Sequence, residues 1–491
     1  MRTCALKGVT PVLVTVEIEV SGGLPGMYVV GMVDTAVQEA RHRVRSAIRA
    51  AGFDMSSERH IVVNLAPADL RKSGSAYDLP IAMAYLIATN QIPAGAFKDT
   101  LAVGELGLEG SVHAVDGLIA YAKCAHDMGL ALLSAPVEMA LPDLGNMRYH
   151  CIAHLGRLHT GELDSVVPGK RILPSTGMDY ADVVGQERAV RAMLIAAAGR
   201  HGALLTGPPG SGKSMLARRL PSILPPLTPQ EQVESAIIHS VAGYDISQIE
   251  AGVRPFRSPH HSATIASLVG GGNPIRPGEA SLAHNGVLFL DELGEFSSAA
   301  LQGLRQPLED GEIALCRADG RCVFPASFQL IAASNPCPCG FLGDRDVSCK
   351  CTDLQISRYQ SKIGGPLKDR IDLACEVSRV DPAKVMGTGK GTSSAVLRDM
   401  VLAARERAMH RGEAGKPLSS TTPKSILDAC KLSSSQRSLL EDVARRHHLS
   451  GRGIIRTLRV ARTIADLDQS DAMKDDYLLE ALMYRGAGIG E

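Results

Sequence analysis

The stretch "ALLTGPPGSGKSMLARRL" at 203–220 places a glycine-rich loop between an apolar run and a helical run. Gly207, Gly212, Lys213 and Ser214 satisfy G-x-x-x-x-G-K-[ST] in the strand–loop–helix context that this pattern requires. Glycines let backbone N–H groups close around phosphates, and the helix start adds a favourable dipole. Lys213 would reach the β- and γ-phosphates, and Ser214 would hold magnesium. The residues predicted to bind ATP are Gly207, Pro208, Pro209, Gly210, Ser211, Gly212, Lys213, Ser214 and Met215.

Two further polar groups follow apolar runs that are typical of buried strands. "NGVLFLDELGEF" (285–296) ends its apolar run in Asp291 and Glu292, and "FQLIAASNPCPCG" ends its own in Asn335. Asp291 can bind magnesium, Glu292 can polarise an attacking water, and Asn335 can orient that water. Asp291 and Glu292 lie about eighty residues beyond the phosphate loop, and together with Asn335 they predict a site for ATP hydrolysis.

Arginines occur at two later places in the chain. Arg370 lies in "GGPLKDRIDL", and "LSGRGIIRTLRVARTIADL" puts Arg452, Arg456 and Arg459 at i, i+4 and i+7 on one helical face. An isolated arginine more often belongs to a solvated face or a surface salt bridge. In this order after a phosphate loop, the arginines indicate a role in ATP hydrolysis.

The segment "CPCGFLGDRDVSCKC" carries four cysteines in fifteen residues. Two C-x-C arms can supply four thiolates to one tetrahedral zinc ion, at about 2.3 Å from each sulfur. The predicted ligands are Cys337, Cys339, Cys349 and Cys351. The alternative is a loop that holds four reduced thiols. Asp344 and Asp346 lie inside this loop, and we expect both to face solvent.

The composition is that of an ordinary globular protein, with Lys+Arg and Asp+Glu both at 52. This balance argues for no particular partner, so a site for a polyanion must be a local patch. The chain starts with no secretory signal, and none of its apolar runs reaches membrane-spanning length, so we expect a cytoplasmic protein with reduced cysteines.

The elements that position these residues fall into regions of different pattern. Residues 1–165 alternate strand-like and helical runs, and 166–179 is a polar segment with two prolines that we interpret as a linker. Residues 180–385 again mix strands with helices, and 390–491 is predicted to be helical. The sequence therefore predicts an α/β fold with a helical C-terminal part.

The order of the motifs resembles that of the AAA+ ATPases: P-loop, Walker B, sensor 1, arginine finger and sensor 2 on a helical lid. This resemblance implies a parallel-sheet ATPase core in the central region, followed by a C-terminal helical lid. More closely, the chain is similar to the bacterial ComM/YifB family, whose ATPase module resembles the magnesium chelatase ATPase subunit. The stretches that carry this resemblance are "RPFRSPHHSATIASLVGGG", "PGEASLAHNGVLFLDELGEF", "SNPCPCG", "GPLKDRIDL" and "RVARTIADL".

The resemblance implies roles for the arginines and for assembly. Arg370 would be a finger donated to the ATP of a neighbouring subunit, and Arg452 would be the lid sensor, with Arg456 as second choice. The family usually has an apolar residue where this chain has Lys368, which affects local packing and leaves the finger in place. The resemblance also implies a homo-hexamer that ATP and DNA promote.

The N-terminal region resembles the α+β proteolytic domain of Lon, which uses a Ser–Lys dyad. The resemblance places Tyr77 or Asp78 at the position of the nucleophilic serine and Ile119 at that of the lysine. Isoleucine cannot act as a base, so we predict a domain without proteolytic activity. An improvised dyad of Ser75 and Lys72 is the alternative.

Between Walker B and sensor 1, "GEIALCRADGRCVFPASFQL" has two strand-like runs around Asp319-Gly320, which predicts a hairpin. In the AAA+ clade that this chain resembles, such a hairpin projects into the pore of the hexamer. Arg317 and Arg321 flank the tip and could contact DNA phosphates. An exposed turn with ordinary solubilising charge is the alternative.

The leading hypothesis is an ATP-driven hexameric DNA motor. The ComM resemblance implies helicase or branch-migration activity on single-stranded, forked or branched DNA, which promotes integration of foreign DNA in natural transformation. The alternative is a chelatase-type chaperone ATPase that remodels a partner protein or assists metal insertion. A Lon-like protease is a third hypothesis, and Ile119 argues against it.

Overall fold

The computed structural model describes most of the 491-residue chain. The described residues are 1–55, 58–137, 144–145, 147–161, 163–165, 177–272, 275–317, 320–344, 346–367, 370–381, 383, 386–387, 389–411, 422–446 and 449–486. Lys368 and most of the linker predicted over 166–179 lie outside these ranges, as does the hairpin tip at 318–319.

The strands in chain order are β1 (Arg2–Lys7), β2 (Thr10–Gly22), β3 (Gly26–Val30), β4 (Arg59–Ala66), β5 (Thr100–Ala102), β6 (Glu105–Leu106), β7 (Val112–His113), β8 (Ala131–Ser134), β9 (Tyr149–Cys151), β10 (Asp164–Ser165), β11 (Ala203–Thr206), β12 (Phe256–Arg257), β13 (Gly270–Gly271), β14 (Arg276–Pro277), β15 (Val287–Leu290), β16 (Glu312–Arg317), β17 (Gly320–Pro325), β18 (Gln329–Ser334) and β19 (Leu373–Glu376).

The α-helices are α1 (Thr35–Ala50), α2 (Asp78–Ala88), α3 (Leu118–Asp127), α4 (Glu187–Gly199), α5 (Lys213–Arg219), α6 (Pro229–Val241), α7 (Ser247–Glu250), α8 (Ile265–Val269), α9 (Glu279–Leu282), α10 (Ser298–Gly303), α11 (Arg305–Asp310), α12 (Asp353–Leu367), α13 (Ser394–His410), α14 (Pro423–Cys430), α15 (Ser434–Arg446), α16 (Gly451–Leu467) and α17 (Asp475–Gly486). Short 3-10 helices cover Ala94–Phe97, Leu155–His159, Tyr180–Asp182, Leu220–Ile223 and Leu293–Glu295.

The chain divides into two compact units. The first unit comprises Met1–Leu173, Thr228–Ala251 and Ala314–Phe324, and the remainder of the chain forms the second. Helices α6 and α7 and most of the β16–β17 ribbon therefore belong to the first unit, although they follow the phosphate loop in the sequence.

The first unit is built on a mixed eight-stranded sheet in the order β10-β9-β8-β5-β1-β2-β4-β3. Strand β4 alternates in burial, with Ile61, Val63 and Leu65 facing the core, as expected for a sheet that is covered on one face. The apolar residues of α1 recur at three- and four-residue spacing and are buried on one side of the helix. Asp34 caps that helix by accepting a hydrogen bond from the Val37 N–H at 2.9 Å.

The second unit is built on a parallel five-stranded sheet in the order β12-β15-β18-β11-β19. Strands β11, β15 and β18 are buried along their whole length, which explains why they are continuous apolar runs without alternation. All carboxyl ends of a parallel sheet lie at one edge, so the residues that follow these three strands come together there.

Helices form most of the second unit after β19. Helix α16 buries Leu458, Ala461 and Ile464 in the same core as Leu205 and Phe289 of the sheet. The parallel sheet followed by helices α13 to α17 confirms the predicted α/β fold class. In the part of the chain that the structure describes, none of the helices combines the length and apolar character needed to cross a membrane.

Candidate nucleotide-binding site

The phosphate loop connects the carboxyl end of β11 to the start of α5. Gly210 and Gly212 have φ angles of +77° and +91°, a backbone conformation that residues with a Cβ rarely adopt. A Cβ on Gly207 would lie 2.1 Å from the Val377 carbonyl oxygen, so this position also requires glycine. The loop therefore has the backbone that the sequence pattern predicts for phosphate binding.

Lys213 is largely buried beneath this loop. Its Nζ donates hydrogen bonds to the Gly207 and Pro208 carbonyl oxygens at 2.7 and 2.9 Å and to Asn335 Oδ1 at 3.3 Å. Burial lowers the pKa of the Lys213 ammonium, and the nearby carboxylates of Asp291 and Glu292 oppose that shift. The predicted phosphate ligand and the predicted water-orienting amide are thus direct neighbours.

Ser214 and Asp291 meet at the same edge of the sheet, where the Ser214 hydroxyl donates to Asp291 Oδ2 at 2.7 Å. The two side chains provide a hydroxyl and a carboxylate, the hard oxygen ligands that Mg²⁺ prefers in nucleotide sites. The residues therefore fit magnesium, which would neutralise phosphate charge.

Glu292 follows β15 and projects outward, with its side chain 57% exposed. Its backbone is left-handed, with a φ of +54°, and its N–H donates to Asp291 Oδ1 at 3.1 Å. Its Oε2 lies 3.3 Å from His261 Nδ1. No local sequence pattern indicates this pairing, although the "PHH" stretch that contains His261 is among the stretches that carry the family resemblance.

The predicted arginines lie elsewhere in the second unit. Arg370, Arg452 and Arg456 line a cavity of about 870 Å³ together with Gly202, the residue before β11. A Cβ on Gly202 would lie 2.7 Å from the Arg370 carbonyl oxygen, so Arg370 is fixed beside the amino end of the sheet. Gly207 follows the carboxyl end of β11, so it lies five residue steps after Gly202, or about 16 Å along an extended chain. The structure therefore does not bring these arginines to the phosphate loop of the same chain.

The lid arginines differ in their partners. Arg456 lies 3.7 Å from Asp372, which also lies 3.4 Å from His201. Arg452 is exposed, and the structure gives it no hydrogen bond or ion pair among the described residues. This difference favours Arg452 over Arg456 as the arginine available to an incoming anion, and its role stays a prediction.

The four cysteines form a compact cluster in which all four sulfur atoms lie within 4.8 Å of one another. Cys337, Cys339 and Cys349 have Sγ–Sγ distances of 3.4 to 3.7 Å. These distances are far longer than a disulfide bond and close to the value of about 3.8 Å between sulfurs that share one tetrahedral zinc. The Cys339 N–H donates to Cys351 Sγ at 3.4 Å, as backbone groups around thiolate ligands commonly do. The donor set fits zinc.

The loop between the cysteines contacts the phosphate site. A Cβ on Gly340, whose φ is +83°, would lie 2.6 Å from Pro209 Cδ. The expectation that Asp344 faces solvent is wrong: its side chain is only 3% exposed, because it accepts the N–H groups of Asp346 and Val347 and pairs with Arg379 at 3.3 Å. Asp346 is exposed, as expected.

In the first unit, the residues considered for a dyad have separate partners. Lys72 is fully buried, and its Nζ donates to the Gly31 and Pro67 carbonyl oxygens. The Ser75 hydroxyl donates to Glu105 instead. Lys72 is therefore not placed as the base for Ser75.

The residues that the Lon resemblance places at the position of the nucleophilic serine are both buried. Tyr77 is buried, and Asp78 is fully buried and bonded to Arg43 Nε and Nη2 at 2.6 and 3.0 Å. Burial raises the pKa of the Asp78 carboxyl, and Arg43 opposes this shift. Ile119 is fully buried on α3. These contacts favour a structural role for the segment.

The predicted hairpin is present as a ribbon of β16 and β17. Arg321 is exposed on β17, close to the tip. The side chain of Arg317 and the tip residues lie outside the described part of the structure, so their proposed contacts with DNA stay predictions. Cys316 and Cys322 are both free thiols.

Comparison with known proteins covers almost the whole chain. The chain is 42% identical to YifB of Salmonella typhimurium over 497 aligned residues, which include 99% of this chain and 96% of that protein. The chain belongs to the ComM/YifB family. Within this family, the competence protein ComM of Haemophilus influenzae is 41% identical over 494 aligned residues, covering 98% of this chain and 96% of ComM.

The ComM/YifB chain also matches family models of magnesium chelatase. Residues 179–385 match the model "Magnesium chelatase, subunit ChlI", 16–138 match "Subunit ChlI of Mg-chelatase", and 391–485 match its C-terminal model. The magnesium-chelatase 67 kDa subunit of Chlorobaculum tepidum is 29% identical over 161 aligned residues, 32% of this chain and 23% of that subunit. The family is thus magnesium-chelatase-like, with an AAA+ fold in its central part.

Proposed function

We propose that this ComM/YifB protein is a cytoplasmic AAA+ ATPase that acts as a ring of identical copies, in which two neighbouring copies form each ATP site. The position of the arginine cavity carries this proposal. Arg370 and Arg452 lie at the amino end of the parallel sheet, whereas the phosphate loop lies at its carboxyl end. Arginines that serve hydrolysis from this position would need to meet the nucleotide of a second copy. A head-to-tail contact of this kind closes into a ring, and a hexamer is the proposed state.

Each residue of the site has a proposed role in hydrolysis. The N–H groups of the phosphate loop and Lys213 bind the phosphates, and Ser214 and Asp291 hold magnesium. Glu292 polarises the attacking water, which Asn335 orients. Arg370 of the neighbouring copy offsets the charge that develops on the transferred phosphoryl group.

The motor is proposed to act on DNA. Arg321 is exposed on the ribbon that precedes β18, where it could contact backbone phosphates. A relative that matches 98% of the chain is named for competence. The proposed activity is helicase or branch migration on recombination intermediates, which promotes integration of foreign DNA. ATPase rates measured without DNA, with single-stranded DNA and with forked DNA test it. Rates that do not respond to any DNA would contradict a DNA motor.

The matches to magnesium chelatase subunits favour a second candidate function. In this alternative, the ring remodels a protein partner or assists metal insertion. ATP hydrolysis that is indifferent to DNA but stimulated by a protein partner would select this candidate.

The cysteine cluster is proposed to bind one structural zinc per chain. Four protein thiolates leave no open position for water or substrate, so the ion would stabilise the loop between Asn335 and Arg370 and take no part in catalysis. Metal analysis of protein purified without chelator or affinity-tag metal tests this proposal. A content well below one zinc per chain would leave four reduced thiols.

A further inference from the structure

Arg370 is engaged by a carboxylate in the structure of the single chain. Its guanidinium forms an ion pair with Glu309, which lies in the last turn of α11. The Arg370 side chain is 15% exposed and that of Glu309 is 48% exposed. The pair therefore joins a mostly buried cation to a carboxylate that reaches solvent, within the lining of the arginine cavity.

The surroundings of Arg370 are strongly cationic. Burial lowers the pKa of its guanidinium, and the charges of Arg456, Arg452 and Arg305 lower it further. The carboxylate of Asp372 opposes this pKa shift, and it also lies close to His201 and Arg456. Glu309 is a carboxylate in direct contact with Arg370 within this cationic cluster.

We propose that Glu309 is the displaceable counter-ion of Arg370, holding the guanidinium in a free subunit until the terminal phosphate of a nucleotide on a second copy replaces it. This inference rests on the proposed function, because it requires Arg370 to serve the ATP of another copy. A carboxylate next to the incoming phosphates repels them and competes for the same N–H donors. Glu309 thus sets the subunit concentration at which the shared site forms.

The substitution Glu309→Gln tests the proposal, because it keeps the shape of the side chain and removes its charge. We expect the subunit concentration for half-maximal ATPase activity, and for assembly with ATP, to fall about two- to fivefold, the effect of losing one partly exposed charge contact. Nucleotide affinity of isolated subunits, measured with a fluorescent ATP analogue far below that concentration, should not change, since Glu309 lies in the cavity at the other end of the sheet.

Asp310→Asn is the matched control. Asp310 is the exposed neighbour of Glu309, it loses the same charge, and the structure gives it no ion pair among the described residues. The midpoint of this variant, meaning the subunit concentration for half-maximal ATPase activity or assembly, should match that of the wild type. In an Arg370→Ala background, Glu309→Gln should no longer shift the midpoint of ATP-dependent assembly, which separates loss of this pair from a general gain in positive charge.

The outcomes distinguish this inference from the function on which it rests. A midpoint for Glu309→Gln that equals or exceeds that of the wild type, or a shift that persists without Arg370, would overturn the counter-ion role. Wild-type assembly and ATPase activity in Arg370→Ala would instead overturn the shared site itself. Equal melting temperatures of the variants establish that the comparison is between folded proteins.

Discussion

An equimolar mixture of two inactive variants should regain about a quarter of wild-type ATPase activity. Arg370→Ala removes the finger and leaves the phosphate loop intact. Lys213→Ala removes the lysine of the phosphate loop and leaves the finger intact. Each variant alone should be nearly inactive, since an arginine finger contributes about 10³-fold or more to the rate. Because Arg370 lies beside the amino end of β11 and the phosphate loop follows its carboxyl end, rescue requires a contact between copies.

The expected fraction follows from random mixing around a ring. An active interface needs an intact phosphate loop from one variant and an intact finger from the other, so its probability is the product of the two fractions. This product peaks at equal amounts, at about one quarter of the interfaces, and falls symmetrically on either side. ATPase rates over a series of mixing ratios should trace this curve.

Labelled subunits provide the control for the experiment. Energy transfer between donor and acceptor dyes on the two variants shows whether mixed rings form at each ratio. If mixed rings form and activity stays at the level of the separate variants, the shared-site reasoning is wrong. Activity of Arg370→Ala alone near the wild-type rate would refute it more directly.

Three further variants test individual parts of the second unit. Glu292→Gln should retain ATP binding and lose nearly all turnover, measured by phosphate release, because an amide cannot polarise water as the carboxylate does; near wild-type turnover would refute its role. Changing Cys349 and Cys351 to serine should remove zinc and weaken ring assembly or DNA-stimulated hydrolysis, while ATP binding by monomers survives; unchanged zinc content would contradict the ligand assignment. Gly340→Ala should weaken ATP binding about tenfold in a nucleotide titration, since its Cβ would strain a φ of +83° and collide with Pro209; unaltered affinity would show that the contact yields easily.

Local sequence patterns were sufficient for the parts of the site that follow strands. Gly207, Asp291 and Asn335 each come directly after a run that the parallel sheet buries on both faces. Once the runs are recognised as parallel strands, their carboxyl ends must meet, and the site follows. The C-terminal helices were predictable for a similar reason, since their apolar spacing is local.

Pairings between distant segments could not be predicted in this way. Glu309 and His261 carry no pattern that assigns them to Arg370 and Glu292, because each contact depends on how separate elements pack. Asp344 illustrates the same limit: a polar loop residue is usually exposed, yet backbone N–H groups and Arg379 bury it. Tertiary contacts decided these positions.

The placement of Thr228–Ala251 in the first unit has a consequence for biosynthesis. Ser240 lies near the end of α6. Its carbonyl oxygen accepts a hydrogen bond from the Gly117 N–H at 2.9 Å, and its hydroxyl accepts one from the Ile119 N–H at 3.4 Å. Helix α6 therefore supplies acceptors for two N–H groups at the start of α3. On the ribosome, the first unit cannot complete this face until α6 has emerged, by which time β11 and the phosphate loop have already been made. Completion of the first unit therefore depends on residues that are made after the phosphate loop, and a nascent chain that pauses before Ser240 leaves the start of α3 without these acceptors.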